Sequence, residues 1–291
     1  MAADQAAGGP DGPAVTGPAP LRLALWQPEA RDETPAERLA RLDAAMAALD
    51  GGADLVLTPE LFLTGYNAGA AAAAERPYGP SARAAAAIAR RHRTALVLGY
   101  PERADDGVAI SALCLGPGGE TLADYAKRRL MSDDERAAFR PGSVPGLIEV
   151  AGWRVGLLIC WEVVVPEDVR ALARAGAGAV VVPTALRRQR AVVARAVVPA
   201  RAFENGVAVA LANHAGREGD WDYLGESVVC GPDGRDLARG GAGEEMVLAA
   251  VDPGAPAAAW RGGCPLAELD RSQGGPAAAG AMVGHAPVAG G

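Results

Sequence analysis

The stretch Arg154–Thr184, RVGLLICWEVVVPEDVRALARAGAGAVVVPT, decides the architecture. It opens with a short apolar run, Arg154–Ile159, which has the length of a buried strand and stops at Cys160. Pro166–Ala175 reads as a helix, with proline in the first turn where a missing N–H costs nothing. A second apolar run, Ala179–Val182, ends at Pro183-Thr184-Ala185. Strand, helix and strand in succession point to a layered α/β protein.

The same alternation extends outward in both directions. Upstream, Leu21–Gln27 (LRLALWQ) reads as a strand, and Thr34–Leu49 as a helix capped by Thr34 ahead of Pro35. Asp54–Thr58 (DLVLT) is a buried strand that stops at Pro59-Glu60. Ser81–Arg93 is helical, and Ala95–Gly99 (ALVLG) is again a buried strand. Val108–Leu115 and Glu120–Lys127 flank Pro117-Gly118-Gly119 as a hairpin, with Lys127 closing its second strand. Downstream, Arg187–Glu204 reads as one long Ala/Arg-rich helix and Val207–Ala212 as a strand. Ser227–Cys230 and Arg235–Ala238 form a hairpin about Gly231-Pro232-Asp233-Gly234, and Met246–Val251 is the last strand. The expected organisation is a disordered tail over 1–20, one domain over 21–262 and a flexible tail over 263–291, the tails being rich in Gly, Ala and Pro. Two mixed sheets packed face to face would make an α-β-β-α sandwich of two similar halves. The spacing alone leaves a doubly wound sheet equally open.

Composition narrows the function classes. The chain has 291 residues, half of them apolar, which excludes a wholly disordered protein. A net charge of −7 argues against a nucleic-acid partner, since such proteins usually show a basic face. No apolar run reaches the roughly 20 residues that span a bilayer, and the N-terminus lacks the basic and apolar regions of a signal peptide. No membrane association and a cytoplasmic location are therefore expected. Cys114, Cys160, Cys230 and Cys264 show no metal-binding spacing with His92, His214 or His285, so no metal site is expected. Of the 28 basic residues 27 are arginine, and Lys127 is the one lysine. A surface cation would tolerate arginine, whereas a tight site that needs a compact ammonium would not.

Glu60, Lys127 and Cys160 share one setting: each stands where an apolar strand runs out, which is where open α/β sheets gather reactive groups. A thiol at a strand-to-helix turn is a candidate nucleophile, and it needs a base that no histidine is placed to supply. Glu60 can serve as that base. Lys127 can hold the thiolate and a developing oxyanion.

The sequence around these residues is similar to one enzyme group. Thr58-Pro59-Glu60-Leu61-Phe62-Leu63-Thr64-Gly65-Tyr66 resembles the glutamate motif of the nitrilase superfamily, the carbon–nitrogen hydrolases. Tyr125-Ala126-Lys127-Arg128-Arg129-Leu130 resembles its lysine motif. Gly156-Leu157-Leu158-Ile159-Cys160-Trp161-Glu162, followed by Pro166-Glu167, resembles its cysteine motif. Val182–Ala185, Pro199–Asn205, Ala212-Asn213 and Gly231–Gly234 extend the likeness, which runs from about Leu21 to Trp260.

The resemblance implies a four-layer α-β-β-α sandwich, assembled as a homodimer or larger homo-oligomer. It implies Glu60 as general base, Lys127 as oxyanion stabiliser and Cys160 as nucleophile, with the Trp161 main-chain N–H completing the oxyanion hole. Glu135, eight residues after Lys127, takes the place of a second glutamate that positions the amide in amidase members. Tyr66, Trp161, Ala185 and Asn213 are expected to line the pocket. The implied reaction converts a small-molecule amide to an acid and ammonia or an amine through a thioester, and requires no metal or organic cofactor. Three departures bear on pocket shape or support: Arg129 where many members have histidine, Ala126 where arginine is frequent, and Ile110-Ser111 in place of Asn-Ser. Trp161-Glu162 is nearer the nitrilases, but the Pro-Thr-Ala and Pro-Ala-Arg-Ala-Phe-Glu-Asn segments are nearer the amidases and carbamoylases, and amide hydrolysis is the favoured reading. Nitrile hydrolysis on the same residues is the rival, and a catalytically silent binding protein of the same fold is the alternative from another class.

Overall fold

The computed structural model of the chain describes residues 18–66, 69–255 and 265–272. Most of the expected N-terminal tail therefore lies outside the described residues, as do 273–291 of the C-terminal one. The chain order is β1 (Leu21–Gln27), α1 (Pro35–Ala47), β2 (Leu55–Leu57), α2 (Pro80–His92), β3 (Ala95–Ala104), β4 (Gly107–Leu115), β5 (Thr121–Ala126), α3 (Asp133–Ala138), β6 (Gly146–Val150) and β7 (Trp153–Leu157). Then follow α4 (Pro166–Arg174), β8 (Ala179–Pro183), α5 (Val198–Asn205), β9 (Ala208–Ala212), the short pair β10 (Arg217–Glu218) and β11 (Trp221–Asp222), β12 (Val228–Cys230), β13 (Asp236–Arg239), β14 (Glu245–Val251) and α6 (Pro265–Ser272).

Two six-stranded sheets form, in the orders β14-β1-β2-β3-β4-β5 and β13-β12-β9-β8-β7-β6. Each has three parallel strands, β1-β2-β3 or β7-β8-β9, flanked by antiparallel strands on both sides. The parallel strands are apolar along nearly their whole length because both of their faces are covered. One core joins the sheets: Leu25, Leu57, Val97 and Ile110 of the first meet Val155, Leu157, Val181 and Ala210 of the second. A second core packs α1 and α2 on the outer face of the first sheet through Leu39, Leu42, Met46, Ala85 and Ile88. A third packs α4 and α5 on the second sheet through Val169, Leu172, Val198 and Ala202. The layers are thus α-β-β-α, which resolves the choice that strand spacing left open. At α1 the anticipated cap is present: Thr34 Oγ1 accepts from the Glu37 N–H at 3.3 Å while Glu37 Oε2 accepts from the Thr34 N–H at 2.8 Å.

Three expectations need correcting. Arg187–Glu204 is not one helix: a 3₁₀ turn (Arg188–Arg190) and a π turn (Val193–Val197) precede α5. Pro199 offers no N–H and crowds the carbonyl four residues back, so a regular α-helix cannot run through it, and the π turn absorbs the mismatch. Part of the expected C-terminal tail is ordered: α6 buries Leu266 and pairs Asp270 with Arg174 at 2.5 Å. The edge strand β6 was not anticipated; among the described residues it pairs with β7 alone.

Candidate active site

Glu60, Lys127 and Cys160 each follow a strand end, those of β2, β5 and β7 respectively. The main chain fixes each one. The Glu60 N–H donates to Thr184 O at 3.2 Å, so the two sheets are stitched together at the site. Beneath this turn runs Gly99 of β3. A Cβ there would stand 2.0 Å from the Pro59 carbonyl oxygen, so only glycine lets β3 pass so close. Lys127 donates its N–H to Ile110 O and accepts from the Gly142 N–H, both at 2.8 Å. Cys160 sits at φ +49°, in the left-handed region that a side chain rarely adopts, at the sharp turn between β7 and a 3₁₀ turn.

The side chains converge. Lys127 Nζ lies 2.7 Å from Glu60 Oε1 and 2.9 Å from Glu135 Oε2, with its side chain entirely buried. The Tyr66 hydroxyl lies 2.8 Å from Glu60 Oε1 and 3.1 Å from Glu135 Oε1. Glu135 is presented from the first turn of α3, where Ser132 caps its N–H at 3.1 Å, and its Oε2 also accepts from the Met131 N–H at 2.9 Å. Glu60 Oε2 is buried and has no hydrogen-bond partner among the described residues. A buried acceptor left open is costly unless a reacting group uses it.

The electrostatics follow from this crowding. Burial pushes Glu60 up, an effect Lys127 opposes and Glu135 reinforces. Burial acts against the Lys127 charge, but Glu60, Cys160 and Glu135 outweigh it and hold the ammonium on. The Cys160 thiol is pushed up to about 12, by burial first and the Glu60 charge second, against Lys127, the Ala185 N–H and the Thr184 hydroxyl. These influences favour the thiol over the thiolate at Cys160, so attack by this sulfur would require its proton to be taken.

A third carboxylate braces the turn at Cys160. Glu162 Oε2 accepts from the Ile159 N–H at 2.7 Å and from the Tyr125 hydroxyl at 2.8 Å, and its Oε1 accepts from the Arg128 N–H at 2.9 Å. One buried side chain thus ties the lysine segment to the cysteine segment. Arg128 and Arg129 both reach Asp168 on α4, so the departure at Arg129 is absorbed by an ion pair on the helix that follows Cys160.

Tyr66, Trp161 and Ala185 line one narrow cavity with Cys160 and Glu135. Asn213, expected to line it too, does not. Its carboxamide is spent on the Leu186 N–H and on the carbonyls of Leu186 and Gly225, at 2.7, 3.0 and 2.9 Å, which holds the wall behind Ala185. Residues that sequence reasoning passed over also take part. Thr184 lines the cavity, Trp221 of β11 stacks on Tyr66 at 4.5 Å, and His214 Nε2 lies 2.9 Å from the Glu60 carbonyl oxygen. The signal for His214 was available, since it too stands just past a strand end.

Burial pushes His214 down to about 4, so its neutral ring donates to Glu60. The unfolded chain takes up this proton first as pH falls from about 6.5, so stability is complete above that pH and drains away toward 4 by up to about 3 kcal/mol. Urea unfolding at pH 7 and pH 5 is expected to show a smaller acid loss in His214→Gln than in the wild type. Equal losses would refute this assignment.

Residues 22–261 match the family model described as carbon–nitrogen hydrolase. The chain belongs to the carbon–nitrogen hydrolase family, in its amidase-like branch. It is 41% identical over 247 residues to "Hydrolase in pqqF 5'region" of Pseudomonas protegens, covering 83% of this chain and 86% of that one. It is 33% identical over 235 residues to an (R)-stereoselective amidase of a Pseudomonas species, with 80% and 85% covered. The crystal structure of an amidase from Nesterenkonia sp. superposes with a TM-score of 0.76 at 36% identity, covering 90% of this chain and 99% of that one. A mutant of the latter has been solved with the acetamide moiety of fluoroacetamide covalently added at its active-site cysteine. No helix among the described residues is long and apolar enough to cross a membrane.

Proposed function

We propose that the chain hydrolyses the C–N bond of a small-molecule amide through a thioester on Cys160. The observation that carries this reading is the buried Glu60–Lys127–Glu135 cluster beside the Cys160 sulfur, with Glu60 Oε2 left open. As the sulfur attacks the amide carbon, the thiol proton passes to Glu60. The oxyanion is held by Lys127 and by the Trp161 N–H, which lies at the start of a helical turn whose first N–H groups have no partner within it. Collapse breaks the C–N bond, and the leaving nitrogen takes the proton from Glu60. Water then attacks the thioester while Glu60 takes its proton, and the sulfur departs as the thiol when that proton returns. Glu135 and Tyr66 position Glu60 and the amide.

In this reading 21–262 is the catalytic domain, acting in the cytoplasm as a homodimer or larger homo-oligomer. The test is intact-mass spectrometry of the protein quenched during exposure to mixed amides and nitriles. An acyl adduct from an amide, lost in Cys160→Ala, is the expected result. Ammonia and an adduct from nitriles but never from amides would replace the reading with nitrile hydrolysis.

A further inference from the structure

The slot at Cys160 has a free volume of about 20 Å³, room for little more than a water-sized group beside the sulfur. The remainder of a substrate must lie outside it. An outer groove of about 520 Å³ continues from the slot and shares Trp161, Val164, Arg187, Arg190 and Val193 with it. Among the described residues no acidic one lines that groove. A second groove, past Tyr66 and Trp221, is also bordered by Arg187, but it carries Asp134 and Glu135 as well.

Arg187 and Arg190 are the distinctive residues at this junction. Arg187 lies over the Trp221 ring, 4.5 Å from its centroid, and Arg190 over the Trp161 ring at 5.2 Å. A guanidinium laid on an aromatic face is held in place while its N–H edge stays available. Arg188 between them pairs with Asp222 at 3.3 Å, but neither Arg187 nor Arg190 has a carboxylate partner among the described residues. Two oriented, uncompensated cations at the mouth of a slot, in a protein of net charge −7, form a local site for an anion.

Building on the amidase reading above, we propose that the substrate is an amide carrying a carboxylate at its far end, with a short apolar spacer along Val164 and Val193 and the carboxylate gripped by Arg187 and Arg190. Arg187 borders both grooves, but Arg190 lines only the first, and Asp134 and Glu135 line the second, which disfavours seating the carboxylate there.

The test compares the monoamides of succinic, glutaric and adipic acid with uncharged alkyl amides of matching length, in the wild type and in Arg187→Gln/Arg190→Gln. At least one monoamide is expected to exceed its neutral partner in kcat/KM by roughly tenfold, with the preference weakened by added salt. In the double variant the KM of that monoamide should rise by about the same factor and the preference should collapse. Arg190→Lys, which keeps the charge but not the fork, should retain part of it. Neutral amides cleaved as well as monoamides by the wild type, or an unchanged preference in the double variant, would overturn this inference while leaving the amidase reading standing. Ammonia from no amide at all would overturn both.

Discussion

Lys127→Arg is expected to lower kcat/KM for an amide by about a thousandfold, or about 4 kcal/mol of transition-state stabilisation. The substitution keeps the positive charge, so a role limited to balancing Glu60 and Glu135 would survive it. What it removes is the compact head. Nζ is within 2.9 Å of both carboxylates on a side chain with no exposure, and a wider planar fork cannot occupy that position while also meeting an oxyanion. Overpacking adds a stability cost of about 1–3 kcal/mol. Turnover should therefore be referred to the folded fraction measured by denaturant titration. A Lys127→Arg variant that folds and keeps wild-type turnover would remove Lys127 from the chemistry. The composition pointed the same way, because in a chain that uses arginine at 27 of 28 basic positions the exception stands at the one buried ammonium of the site.

The placement of these groups was legible because it follows from strand ends. Leu55–Leu57 and Trp153–Leu157 announce themselves by apolar content and Thr121–Ala126 by the hairpin turn before it, and the candidate residue comes within three positions of each end. What could not be read is which faces meet. A strand buried along its whole length, such as Leu55–Leu57 or Ala208–Ala212, has no in–out alternation to show which side packs on helices and which on the other sheet. The sandwich could therefore not be separated from a doubly wound sheet by spacing. The break in the 187–204 segment was hidden for another reason: its many alanines and arginines favour a helix, and only the two Val-Val pairs, weakly, and Pro199 spoke against one. Arg187 and Arg190 owe their place at the slot to that break, as does the groove beside them. Asn213 was expected at the pocket from the resemblance of its segment, and a shared motif does not say whether a side chain faces the cavity or the wall behind it. His214, its neighbour, was set aside as an isolated histidine, although it reaches the main chain of Glu60 itself.

Glu60→Gln tests the chemistry from the other side. The amide keeps the shape and an acceptor for Lys127 but cannot take a proton, and removing a general acid–base group typically costs 10²- to 10⁴-fold. A fall in kcat of about a thousandfold is expected. The thiol should respond in the opposite sense. In the wild type the Glu60 charge pushes Cys160 up while Lys127 pulls it down, so neutralising Glu60 leaves Lys127 less opposed and the thiol more acidic. The pH dependence of alkylation by a small haloacetamide should shift below the wild-type value even as amide turnover is lost. That divergence separates two roles for Glu60. If its task were only to generate thiolate, a more acidic thiol would compensate and turnover would survive. If it must also deliver a proton to the leaving nitrogen and take one from water, reactivity toward an alkylator and turnover of an amide part company. The wild-type acid limb carries the same signature: burial holds Glu60 above its ordinary 4.5, so activity should be lost as pH falls through a midpoint higher than that of an exposed glutamate. Loss of that limb in Glu60→Gln would assign it to this carboxylate, and an unchanged limb would assign it to another group.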